Sequence, residues 1–255
     1  MSLSLIFQLT SISLIAVASG LVGTFALMRR MVLAADSISH VALPGLAMAI
    51  LIGIHPLIGG AVALFLGVLL IWLLENKTNL NTDVIIGVVF AASLAIGSLL
   101  TKDEELIEAL FGGGRLINIY EFIFSVVAAL LIIAFIALFK EGLIISLVSH
   151  DLAQITGVKV ERLSLYFLLV FALNIILGLQ FLGVLLMGSL LIVPAAIGRN
   201  LGESINSALV WAAAASLISV LLGYLISSYY GLPFGPTAII VSTLLFLLSL
   251  LRKSV

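Results

Sequence analysis

The chain has no cysteine, which removes disulfides, thiolate metal sites and cysteine nucleophiles together. Charge is scarce as well: Asp, Glu, Lys and Arg make up 9% of the 255 residues, where a soluble domain carries about 25%. The net charge of −1 offers no basic surface for a nucleic acid, so no nucleic-acid partner is expected. No GxxxxGK[ST] run occurs, so the chain cannot itself bind and hydrolyse ATP through a P-loop. HExxH, GxSxG and CxxC are missing too. Neither a soluble domain nor a short-period repeat is visible, and residues 1–255 read as a single transmembrane domain.

What is present is apolar: 63% hydrophobic residues and a mean hydropathy of +1.39. The apolar runs are long enough for helices rather than barrel strands, which predicts an all-α polytopic membrane protein. Its N-terminal run lacks a basic n-region and is too long for a signal h-region, so it is expected to be a first span. Charge, Gly and Pro punctuate the chain into candidate spans at Ser4–Leu27, Val32–Gly53, Leu57–Leu74, Asp83–Leu100, Ile119–Phe139, Leu163–Leu179, Gly183–Ile197, Ile205–Tyr229 and Pro233–Leu251. The short pair Leu163–Leu179 and Gly183–Ile197 reads as one bent helix or two, which gives eight or nine transmembrane helices.

Lys and Arg set the orientation. With the N-terminus outside, Arg29, Arg30, Lys77, Lys140, Lys159, Arg162, Arg199, Arg252 and Lys253 are all cytoplasmic, and only Lys102 and Arg115 are external. That split favours nine crossings.

One polar stretch interrupts the second span: Asp36-Ser-Ile-Ser39-His40-Val-Ala-Leu-Pro44-Gly45. Asp36 and His40 are four residues apart, so on a helix both side chains lie on one face, one turn apart. A carboxylate oxygen beside an imidazole nitrogen suits a divalent cation such as zinc, manganese or iron. Pro44 has no N–H, so a helix running through it leaves the His40 carbonyl without a partner. Counting from Arg29 at the inner boundary, Asp36 lies about 10 Å and His40 about 16 Å along the helix, near the middle of a core about 30 Å thick. A bare carboxylate there costs roughly 3 kcal/mol unless it faces protein, water or a cation. Transport, a packing pair and catalysis remain three readings of the Asp36–His40 pair at this point. Catalysis would need a third ligand and a base, and no further His lies within a span.

Asp83 opens a span, where the helix dipole favours an acid; a role in a cation pathway is the alternative. Pro194 frees the Leu190 carbonyl as Pro44 frees that of His40, and paired proline-broken helices point to a substrate path. His55, before Pro56, reads as a solvated turn, and Glu121 as a solvated boundary residue. The external loop at 101–118 is acidic through Asp103, Glu104, Glu105 and Glu108, which suits a solvated loop or the reception of a cation or docking protein. The cytoplasmic segment at 140–162 contains Ser149-His150-Asp151-Leu-Ala153-Gln-Ile-Thr-Gly157. This predicts a short helix with Ser149 as N-cap, Asp151 in the first turn and Gly157 as the stop. It serves as a connector or as a docking helix for a motor subunit.

The run Asp36-x-x-Ser39-His40-x-x-Leu43-Pro44-Gly45 resembles the signature of the zinc, manganese and iron permeases of ATP-binding-cassette importers. Arg29-Arg30-Met31, Asp83-x-x-Ile86-Gly87-x-x-Phe90, Leu110-Phe111-Gly112, Ala153-x-x-x-Gly157, the run from Gly183 to Pro194-Ala-Ala196, and Pro233-x-Gly235-Pro236 are similar to further landmarks of that family. The chain departs from it at Gly113, Gly114 and Gly231, and in reading Ser-His-Asp at the coupling segment. The resemblance implies a permease of a prokaryotic inner membrane, paired with a second copy and embedded in membrane lipid. ATPase subunits would dock on the segment with His150, Asp151, Ala153 and Gly157, and an extracytoplasmic metal-binding protein would deliver the ion. Asp36 and His40 are the implied metal ligands, with Ser39, Pro44, Asp83 and Pro194 along the pathway. The metal is then cargo, no cofactor is bound by this chain, and it is not itself an enzyme. An ion-coupled secondary transporter and a non-transporting anchor subunit are the rival readings.

Overall fold

The computed structural model describes residues 3–78, 80–100 and 118–251. The external loop Thr101–Arg115 with its acidic residues, Lys102 and the Leu110-Phe111-Gly112 landmark lies outside the described residues, as do Arg252 and Lys253.

All the described regular structure is helical, as an apolar chain requires where no water is available to satisfy backbone N–H and C=O groups. The helices are α1 (Leu3–Met28), α2 (Val32–His40), α3 (Leu43–Leu51), α4 (Pro56–Lys77), α5 (Thr82–Leu100), α6 (Ile119–Val148), α7 (His150–Ile155), α8 (Val160–Leu182), α9 (Val184–Leu201), α10 (Ile205–Tyr230) and α11 (Phe234–Leu251). Among the described residues seven of these, α1, α4, α5, α6, α8, α10 and α11, are long and apolar enough to cross a membrane. Two shorter apolar stretches, Asp36–Leu51 and Met187–Leu201, accompany them. Local chemistry sets the ends. His55 is extended before Pro56, the first residue of α4, where a missing N–H has no consequence. Asn118 and Glu121 form a reciprocal capping box on α6, so Glu121 fixes a helix start as well as meeting solvent.

Two elements differ from the sequence expectation, and a third takes one of two forms left open there. The span expected at Val32–Gly53 is two helices, separated at Val41–Ala42, with Pro44 in the first turn of α3. A proline is tolerated there, so the chain restarts its helix at Pro44 instead of kinking through it. The short pair expected at Leu163–Leu179 and Gly183–Ile197 is also two helices. They join at Gly183, whose φ of 76° and ψ of 173° belong to a region open essentially to glycine alone. Pro194 is buried inside α9 without ending it. Finally, α6 runs on to Val148 instead of stopping at Phe139, so Lys140 and Glu141 are helical. Charge ends a membrane crossing, whereas only a capping residue ends a helix.

Helix α1 packs on α6, α8, α9 and α10, while α10 also holds α11. The second group is smaller: α2 lies on α9 and α5, and α3 on α4 and α5. Small residues let these backbones meet. A Cβ on Gly20 would lie 2.6 Å from the Ala212 carbonyl oxygen, and Gly45 and Gly59 face each other's backbone at the α3–α4 crossing. One buried interhelical hydrogen bond ties α1 to α8, Asn174 Nδ2 donating to Ser19 Oγ at 3.0 Å; such bonds contribute about 0.6 kcal/mol in membranes.

Candidate functional site

The connection into α2 is anchored at its start. Arg29 lies just past α1 with its guanidinium over the Phe167 ring, 4.5 Å from the centroid, and donates to Ser164 Oγ at 3.4 Å. Burial pushes this guanidinium down to about 10, with the Glu75 carboxylate acting against that shift. It stays cationic at neutral pH, and the start of α2 is thereby fixed to α8.

From that anchor α2 carries Asp36 and His40 on one face, as their spacing requires. His40 Nε2 stands 4.0 Å from Asp36 Oδ1, too far for a hydrogen bond. A zinc ion bound to both at about 2.0–2.2 Å, with a tetrahedral ligand angle, brings the two atoms to roughly 3.4 Å. Closing by about half an ångström therefore makes this pair a bidentate site. The His40 ring is buried and Asp36 is about half exposed, at 10% and 52% of their side-chain surfaces. Packing orients the imidazole: Phe90 of α5 meets it edge-on, with ring centroids 5.5 Å apart. His40 Nδ1 is buried without a hydrogen-bond partner among the described residues, so nothing there locks one tautomer.

Behind Asp36 stands α9. A Cβ on Gly188 would lie 2.9 Å from Asp36 Cα and 3.1 Å from its backbone nitrogen, so α2 rests on bare backbone at the turn that carries Asp36. Ser39, fully buried, donates its hydroxyl to the Asp36 carbonyl oxygen at 2.6 Å. It stabilises the turn and does not present an oxygen alongside the pair. Pro44 lies in the first turn of α3 just past His40, and Gly97 of α5 packs beside Leu43 and Pro44.

Asp83 is exposed in the first turn of α5. Phe90, the α5 residue that reaches His40, lies seven positions further, about 10 Å along the axis. No group of three or more His, Cys, Asp or Glu side chains able to hold a metal occurs among the described residues, so Asp83 does not join Asp36 and His40. Pro194 sits on α9 one and a half turns past Gly188. The residues without a role in the sequence reading are Phe90 and Gly188. Phe90 ends the Asp83-x-x-Ile86-Gly87-x-x-Phe90 landmark, and Gly188 lies inside the Gly183–Ala196 run, so both were in view without a contact to interpret.

Helix α7 begins at His150 with Ser149 as its N-cap, Ser149 Oγ accepting from Leu152 N at 3.3 Å. Asp151 is in its first turn, and Gly157 lies just beyond it with φ of 80°. Ala153 is fully buried, while Leu152 and Ile155 are exposed, Ile155 to 82%.

Residues 4–253 match the model of the ABC 3 transport family. This chain belongs to that family. It is 31% identical over 237 residues to the high-affinity zinc uptake system membrane protein ZnuB of Haemophilus influenzae, with 91% of this chain and 90% of that one covered. It is 28% identical over 247 residues to the manganese transport system membrane protein MntC of Listeria monocytogenes, covering 95% and 88% of the two chains. Among solved structures, PsaBC from Streptococcus pneumoniae in complex with Fab superimposes with a TM-score of 0.84 at 24% identity, over 98% of this chain and 91% of that one. The two share a fold. As a member of the ABC 3 transport family the chain is a multi-pass membrane transport subunit and not an enzyme, ATP hydrolysis falling to a separate subunit.

Proposed function

We propose that this chain is the permease of an ATP-driven importer that carries zinc or manganese into the cytoplasm, with Asp36 and His40 as its ligands for the passing ion. The observation that carries this reading is the Asp36–His40 pair, set 4.0 Å apart on a turn that packs against the bare backbone of Gly188. Zinc and manganese are the metals named for the two relatives above; iron, which the same two donors accept, has no counterpart in those names.

The reading includes nine crossings with the N-terminus outside, in a prokaryotic inner membrane. Seven long helices plus the two shorter apolar stretches add to nine. In that topology Tyr120, Tyr229 and Tyr230, all exposed, gather at the outer boundary, where aromatic side chains anchor spanning helices. It also includes a second copy of the chain. Asp36 is half exposed about 10 Å inside the inner boundary, where a carboxylate against lipid costs roughly 3 kcal/mol. A facing protomer would cover it and bring the ligand total to the four that zinc prefers. An extracytoplasmic metal-binding protein completes the route on the outer side.

ATPase docking falls to α7. Val148, Leu152 and Ile155 expose apolar side chains at a level the bilayer does not cover. Ile155→Asp is expected to weaken capture of the ATPase subunit by roughly 10-fold or more, a loss of at least 1 kcal/mol at an apolar anchor. The melting temperature of the permease should hardly move, since Ile155 packs on little of its own chain. Co-purification and thermal unfolding of the same samples check both parts. For the transport reading itself, proteoliposomes holding permease and ATPase should accumulate zinc or manganese only when ATP is supplied on the ATPase side. Equal uptake driven by a proton or sodium gradient without ATP would transfer the chain to the ion-coupled secondary transporters.

A further inference from the structure

Between the inner ends of α1, α6, α9 and α10 the surface opens into a cleft of about 610 Å³. Leu27, Met28, Ile144 and Leu147 line it with apolar surface, and Arg30, Arg199 and Glu203 stand at it. Among the described residues no side-chain hydrogen bond or ion pair engages Arg30, Arg199 or Glu203, so two guanidiniums remain open against one carboxylate. Ser204 and Ile205, which start α10, also line the cleft, and the positive end of that 26-residue helix adds to the local field.

Arg30 carries a further mark of selection for its charge. It sits at the left-handed position that ends α1, with φ of 61°, and is the sole non-glycine with positive φ among the described residues. Its N–H donates to the Leu27 carbonyl at 3.1 Å and the Met31 N–H to the Ala26 carbonyl at 2.9 Å. That is the helix-ending pattern glycine serves best, and Gly53, Gly157 and Gly231 have the positive φ at the ends of three other helices. An arginine here is unfavourable for the backbone, a cost that a role for its guanidinium would offset.

We propose that this cleft binds the headgroup of an anionic phospholipid from the cytoplasmic leaflet, with the phosphate between Arg30 and Arg199 and the start of an acyl chain along Leu27 and Met28. Charge and depth select that occupant. The rim is net cationic at the inner boundary, where anionic lipids draw basic pockets between helices, and the walls below it are apolar, as a free phosphate ion does not require. The inference is independent of which metal the chain carries.

The test titrates the purified full chain in detergent micelles with phosphatidylglycerol or phosphatidylcholine, counting retained lipid by native mass spectrometry. Phosphatidylglycerol should be retained in preference to phosphatidylcholine. Removing either guanidinium should weaken it about 5-fold, and removing both about 30-fold. Arg30→Gly is the informative variant, because it relieves the backbone: lipid retention should fall while the melting temperature stays level or rises. Arg199→Gln is its partner, and Glu203→Gln should tighten retention. Equal retention of the two lipids, or indifference to Arg30→Gly and Arg199→Gln together, overturns the proposal. So does competition by inorganic phosphate alone at the affinity of the lipid, which would make the cleft a free-anion site.

Discussion

Asp36→Ala and His40→Ala are each expected to cut metal uptake by at least about 10- to 100-fold in proteoliposomes that contain the ATPase and ATP, since even an outer-shell partner of a metal ligand is worth that much in affinity. Each side chain is half of what one protomer offers, because no third His, Cys, Asp or Glu joins them among the described residues. The loss should not come from unfolding. His40 Nδ1 has no hydrogen-bond partner to abandon, and Asp36 is half exposed, so neither truncation orphans a buried polar group. Asp36→Asn keeps the size of the side chain and removes its charge, and it should fail as the alanine does. Should both alanine variants move metal at the parental rate, the site assignment is wrong, whatever remains of the family membership.

The second large effect is expected at a residue with no chemistry of its own. Gly188→Ala places a methyl group 2.9 Å from Asp36 Cα and 3.2 Å from its Cβ. The obstacle is chiefly backbone, which cannot swing aside as a flexible side chain does. Overpacking of this kind costs about 1–3 kcal/mol, equivalent to roughly a 5- to 150-fold change in the population of the working arrangement. The chain should still insert, with a lowered melting temperature, and uptake should fall far more than the amount of protein. Gly87→Ala is the matched control: its Cβ meets nothing within 4 Å, so uptake and melting should stay at the parental level. Equal behaviour of the two variants would mean that α9 does not set the position of α2.

Much of this molecule is legible in its sequence. An apolar chain in lipid has to be helical, and the i,i+4 spacing alone puts Asp36 and His40 on one face. Ser149 and Gly157 mark the ends of α7 through ordinary capping chemistry. The less legible features involve contacts or stops without a local signature. Pro44 signals a disturbance near His40, but a kink at Pro44 and a fresh start at Leu43 look alike in sequence. Lys140 and Glu141 look like the end of α6, although the helix continues to its cap at Ser149. The hinge at Gly183 resembles any of the chain's 22 glycines until its φ is known. Phe90 reaches His40, and Gly188 reaches Asp36, across fifty and more than a hundred and fifty residues of chain respectively. One sequence without its contacts cannot assign such pairs.

The interruption at Val41–Ala42 has a mechanical consequence. Each of the nine-residue pieces α2 and α3 rises only about 13.5 Å, under half of a hydrocarbon layer about 30 Å deep. On the reading proposed above, the imidazole that would meet the ion is the last helical residue of the first piece, right at the joint. A tilt at this joint would swing both donors relative to α3, which rests on α4 and α5 as α2 rests on α9 and α5. If Asp36 and His40 hold the passing ion, such a small local tilt would reorient them together, without any full-length helix having to slide.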